Sequence, residues 1–274
     1  MAGRPRGGAA PRMTALPTFT TLGGGPTILM LHGIGGGHLA FAPQVEAFGS
    51  AGYRAVAWDM PGYGHSAPIE PYTFKGLAQS CVTLIEGLRC DSVILLGHGM
   101  GGMVAQEVAA RRPDLVSRLV LCGTSPAFDP ADDAHQREFI ARSTAPLDAG
   151  QSMPEIAQAL VPRMIGPGSL PEGVRLATHC MGLVPAATYR RALECLVTFD
   201  RRANLSDIRV PTLLLAGEHD RDVPPPVMKA MADAIPYSTY HVMRGIGHLQ
   251  NLEAPDDFDG AVLNFLALPR QLLH

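Results

Sequence analysis

The sequence predicts an α/β fold, a mostly parallel sheet with helices on both faces, interrupted by a helical insertion. Three observations predict it. Apolar runs of strand length alternate with helix-length segments through the first 126 residues. Those runs are apolar without strict alternation, as strands covered on both faces must be. The rhythm then stops over 127–202, where prolines punctuate helical patches, and it resumes afterwards.

Each element has its own signal. Thr27-Ile28-Leu29-Met30-Leu31 reads as a strand that runs into the glycine-rich His32-Gly33-Ile34-Gly35-Gly36-Gly37. A helix is predicted over 41–49, stopping at Gly49. A strand over 53–58 leads into the turn Asp59-Met60-Pro61-Gly62-Tyr63-Gly64. Over 74–88, Leu77, Cys81, Leu84, Ile85 and Leu88 recur at helical spacing. A strand over 92–96, a helix over 100–111 closed by Pro113, and a strand over 116–121 follow. After the insertion come a strand over 212–216, a helix over 225–234, a strand over 238–243 and a helix over 258–268. The predicted organisation is a disordered tail over 1–15, a core of 16–126 with 203–274, and a helical cap over 127–202.

Composition narrows the function. The 274-residue chain is 46% hydrophobic and 17% charged, which supports a large core. Its net charge of -3 argues against nucleic acid or an anionic membrane as partner. No apolar run approaches the ~18 residues of a membrane span. The basic, Gly/Pro/Ala-rich first twelve residues lack the apolar stretch of a signal peptide. Five scattered cysteines without a CxxC pair read as free thiols in a reducing compartment, and no Cys/His metal spacing is present. The expectation is a cytoplasmic protein that needs no cofactor.

In open α/β sheets, chemistry gathers at the carboxyl ends of strands. Four such ends agree here. Gly97-His98-Gly99-Met100-Gly101-Gly102 is a sharp strand-to-helix turn whose small residues flank a central, strained position. That position suits a nucleophile, because the helix N-terminus stabilises negative charge, yet it holds Gly99. A phosphate loop would want Lys-Ser or Lys-Thr after the glycines, and Met103-Val104 stand there. The N–H groups of Ile34 and Met100 are candidates for an oxyanion hole. Asp220, with Asp222 in reserve, is the candidate carboxylate to orient a histidine, and His248 is the candidate general base. Asp129 is a minor alternative acid. Cys122 is read as a buried hydrophobe rather than a substitute nucleophile, and His38, His135 and His179 are left unplaced.

On these residues the chain resembles the α/β-hydrolase superfamily from about Thr27 to Leu268. The carriers are Leu31-His32-Gly33, Asp59-Met60-Pro61-Gly62-Tyr63-Gly64-His65-Ser66, the 97–102 turn, Val210-Pro211-Thr212 with Gly217-Glu218-His219-Asp220, and Gly247-His248 before Leu252-Glu253-Ala254-Pro255. Within it the chain is most similar to the 3-oxoadipate enol-lactonase and esterase-like group. It also resembles the carbon–carbon bond hydrolases of aromatic breakdown. The resemblance implies a nucleophile–acid–histidine order at positions 99, 220 and 248. It implies serine at 99, where this sequence has glycine. The expected reading is an otherwise complete hydrolase for a small ester, lactone or ketone, with its nucleophile replaced, whether naturally or by an experimenter. Alternatives are a lyase or isomerase using His248 as a proton shuttle, and a non-catalytic ligand-binding protein.

Overall fold

The computed structural model describes residues 15–130 and 132–269. The tail expected over 1–15 lies outside these residues except for its last position. Strands β1 (Phe19–Leu22), β2 (Thr27–Leu31), β3 (Arg54–Trp58), β4 (Val93–His98), β5 (Val116–Cys122), β6 (Thr212–Gly217) and β7 (Ser238–Met243) form one sheet. Its order is β1-β3-β2-β4-β5-β6-β7. Every pairing is parallel except β1 with β3, where Phe19 opposes Trp58. The mostly parallel α/β sheet expected from the sequence is therefore present. Strand β1 is absent from the strands that the sequence predicts. It has only four residues, half of them exposed, so it carries no apolar run to read.

The pleat sends alternate residues to opposite faces. Leu29, Leu31, Leu95, Leu119, Leu121 and Leu214 face helices α2 (Phe74–Gly87), α3 (Met100–Arg111) and α8 (Pro225–Ala234). Ile28, Met30, Ile94, Leu96, Val120 and Leu215 face helices α1 (Ala42–Ser50) and α10 (Pro255–Ala267). Each such side chain fully removed from water contributes about 1.5–3 kcal/mol. Because both faces are covered, β2, β4 and β6 are buried throughout, and this is why they showed no alternation. At the edge, β7 alternates half-buried with exposed residues up to Val242.

Helices form where caps and spacing agree. The Thr73 side chain accepts the Gly76 N–H, closing the first turn of α2. Pro225 opens α8, where a missing N–H costs nothing. Between β5 and β6 run α4 (Asp133–Asp148), α5 (Met153–Met164), α6 (Pro171–Gly182) and α7 (Ala186–Leu196). Pro154 and Pro171 stand in first turns, whereas Pro146 and Pro162 lie near the ends of their helices and do not separate elements. Ile156, Val161, Met181 and Leu193 from these helices join the same hydrophobic cluster as Leu95 and Leu121 of the sheet. An isolated antiparallel bridge, Ala127 to Asp200, closes the segment at its base. Beside it, Arg201 pairs with the buried Glu107 of α3. No helix among the described residues is long and apolar enough to cross a membrane.

Candidate active site

The site is built at the carboxyl ends of β2, β4, β6 and β7. Strand β4 ends at His98, and α3 begins at Met100. Gly99 alone makes the reversal, with φ 54° and ψ −121°, a conformation that L side chains rarely adopt. Its neighbours are glycines for a different reason. A Cβ on Gly101 would stand 2.1 Å from the Leu31 carbonyl oxygen, and one on Gly97 would stand 2.5 Å from that of Gly101. Close backbone approach therefore fixes Gly97 and Gly101. A Cβ on Gly99 would meet nothing nearer than His248 Nε2, at 3.6 Å.

His248 follows β7 in a loop and is buried. Its Nδ1 lies 2.9 Å from Asp220 Oδ2. Asp220 is fixed in turn, because its Oδ1 accepts the N–H groups of Asp222 and Val223, each at 2.9 Å. Burial opposes charge on both partners. The Asp220 carboxylate outweighs that for His248, raising its imidazolium to about 9. The His248 charge, with the two N–H bonds, holds Asp220 below the usual carboxylate range against its own burial. The pair is thus an acid–base unit with Nε2 facing position 99.

Three further groups hold His248 in place, and the sequence reading assigned none of them that role. The Met164 carbonyl accepts the His248 N–H at 2.7 Å. The His98 Nε2–H donates to the His248 carbonyl at 2.7 Å. Burial pushes His98 down to about 4, so the ring is neutral near pH 7. Glu253, 1% exposed, accepts the N–H groups of Gly247 and Leu249 on either side of His248, both at 2.8 Å. The same carboxylate takes the Gly166 N–H and the Ser169 hydroxyl from the segment between α5 and α6.

Gly99 and His248 open on a cavity of about 510 Å³, whose wall includes Ile34 and Met100. Met100 begins α3, where the first N–H groups have no acceptor within the helix. The Tyr63 hydroxyl donates to the Ile34 carbonyl at 2.9 Å and fixes that peptide. His32 braces the same loop. Its Nδ1–H donates to the Gly33 carbonyl and its Nε2 accepts the Met60 N–H. Burial drives it down to about 4 and keeps it neutral.

A family profile described as the alpha/beta hydrolase fold matches residues 26–255. The chain belongs to the α/β-hydrolase family. It is 30% identical, over 88% of its length and 94% of the relative's, to a Pseudomonas syringae protein named "Putative carbamate hydrolase RutD". It is 26% identical to 3-oxoadipate enol-lactonase 2 of Acinetobacter baylyi, over 83% of this chain and 84% of that one. The enol-lactonase of Burkholderia xenovorans superposes with a TM-score of 0.81 at 26% identity, covering 92% of this chain and 96% of that one.

Within this α/β-hydrolase the remaining candidates are easily placed. Asp222 is exposed at the cavity wall, next to the Asp220–His248 pair. Asp220, Asp222 and His248 bring potential metal-ligand atoms within 4.8 Å of one another, although the His–Asp hydrogen bond already engages two of them. Asp129 also reaches the wall, but its partner is Arg202 at 3.7 Å. Cys122 is buried on the α1–α10 face of the sheet and its Sγ–H points at the Gly97 carbonyl. His38 sits on Asp59, outside the large cavity. His135 packs against Phe128, and His179 is exposed.

Proposed function

We propose that this α/β-hydrolase acts on a carboxylic ester or lactone, with His248 and Asp220 activating water directly. The observation that carries the proposal is the relation between position 99 and Nε2. A side chain at 99 would meet His248 at contact distance, and glycine supplies no nucleophilic atom there. An acyl-enzyme at 99 is therefore excluded. Nε2 instead takes a proton from water, and the hydroxide adds to the acyl carbon. The oxyanion is stabilised by the N–H groups of Ile34 and Met100. Collapse breaks the bond to the leaving oxygen, which takes the proton back from the imidazolium. Hydrolases stripped of a triad member keep roughly 10³–10⁴-fold acceleration over water, so turnover is slow but real. The helices over 127–202 serve as the cap that selects the substrate. Five free cysteines support a cytoplasmic setting.

The test is Gly99→Ser. It is expected to raise hydrolysis of p-nitrophenyl acetate by at least about 100-fold and to yield an acyl adduct in the mass spectrum. No gain and no adduct would sink the proposal. A second reading has one observation in its favour, the intact acid–base pair without a nucleophile. In that reading His248 shuttles a proton in a lyase or isomerase reaction. Turnover of the unchanged chain that is lost in His248→Ala but not raised by Gly99→Ser would select it.

A further inference from the structure

We propose that the cavity takes a medium-sized apolar substrate bearing no fixed negative charge, and that Asp222 on its wall enforces this. The inference rests on the cavity being the substrate site. At about 510 Å³ the cavity is in the range that encloses a drug-sized molecule, larger than the reacting group alone requires. Much of its wall is apolar, including Met103, Phe139, Leu160, Met164, Met181 and Val227. Methionine side chains adapt to varied apolar shapes.

The charges on this wall are one-sided. Among the described residues that line it there is no lysine and no arginine. The carboxylates are Asp129 and Asp222. Asp129 is three-quarters exposed and faces Arg202, so its field is damped. Asp222 is exposed too, but among the described residues no Lys or Arg forms an ion pair with it, and the adjacent His248 is already held by Asp220. His32 and His98 are neutral. The one cation on this wall, His248, is already balanced by Asp220, so a substrate carboxylate or phosphate would leave water without a free counter-charge, and burying a charge unpaired is costly. It would also approach Asp222 and be repelled. The oxyanion that develops during acyl transfer is a separate matter, since backbone N–H groups meet it. An uncharged apolar substituent suffers neither penalty.

The experiment is calorimetric titration of the full chain, near neutral pH, with two probes of equal size, naphthylacetamide and naphthylacetate. The amide is expected to bind at least about tenfold tighter. The gap is expected to narrow in Asp222→Asn, and also in high salt because Asp222 is exposed. Equal or tighter binding of the acetate overturns the proposal. So does failure of the amide to bind, or a gap unchanged in Asp222→Asn. Binding is read without turnover, so this result is separable from the Gly99→Ser assay.

Discussion

A Cβ built on Gly99 would stand 3.6 Å from Nε2 of His248, an ordinary contact, whereas one on Gly101 would penetrate the Leu31 carbonyl at 2.1 Å. The two glycines of one turn are therefore under different constraints. Gly101 is fixed by space. Gly99 is limited only by its backbone conformation, whose strain for an L residue is on the order of 1–3 kcal/mol. Gly99→Ala is expected to fold and to lose about that much stability in urea. Gly101→Ala must displace backbone and is expected to fall below the threshold for soluble expression. Comparable damage from both would mean that position 99 is not a place where the fold accepts a side chain.

The same turn explains what could be read from sequence. The 97–102 turn, Asp220 and His248 each stand at or beyond the carboxyl end of a strand read from the sequence, and parallel strands bring those ends together. Sequence patterns thus place residues 149 and 28 positions apart at one site, where a Cβ on Gly99 lies 3.6 Å from His248 and His248 lies 2.9 Å from Asp220. Glu253 was visible only as part of a resemblance. Its role depends on accepting from Gly166 and Ser169, more than eighty positions away, and no local pattern encodes that. The inserted helices were equally opaque in detail. Pro146 and Pro162 look like breaks, but each falls in the closing turns of a helix that tertiary packing holds.

Asp220→Asn tests the electrostatics of the pair. Burial lowers the His248 value, and Asp220 more than reverses this, raising it from 6.5 to about 9. A raised folded value means that the His248 contribution is complete below about pH 6.5, as long as Asp220 stays ionised, and is lost as pH rises through about 9. Neutral His248, the form able to take a proton, accumulates over the same interval, so water-mediated turnover is expected to rise with pH. In Asp220→Asn burial is opposed only by the smaller effects of Asp222 and Glu253. The histidine resonances should then titrate below the ordinary value, and the alkaline loss of stability should flatten. An unchanged titration would show that Asp220 does not govern His248.

Glu253→Gln separates positioning from bulk stability. The two carboxylate oxygens serve three N–H groups and one hydroxyl. An amide replaces one acceptor with a donor, so at least one buried N–H loses its partner, at about 1–3 kcal/mol. The negative charge that helps raise His248 also disappears. The expected result is a lower melting temperature together with a downward shift of the pH–rate profile. Loss of stability with an unmoved profile would make Glu253 a structural brace only.

Asp259→Asn carries the opposite sign. Asp259 is buried beside α1, where the Gln44 amide donates to its Oδ1 at 3.0 Å. Gln44 also donates to the Asn251 carbonyl and accepts from the Asn251 amide, tying α1 to the short helix α9 (Gln250–Glu253) that follows His248. Burial raises the Asp259 carboxyl from 3.8 to about 6, and the single Gln44 bond only partly offsets it. Here the folded state binds its proton more tightly than the unfolded one. Stability therefore falls as pH rises from about 4 to 6, and the penalty is complete above that window. Asparagine keeps an oxygen for Gln44 and never ionises. Asp259→Asn is expected to stabilise the protein above pH 6, by up to about 3 kcal/mol, and to have no effect near pH 3. Urea unfolding at both pH values measures it, and a gain of equal size at each would rule out ionisation as the cause.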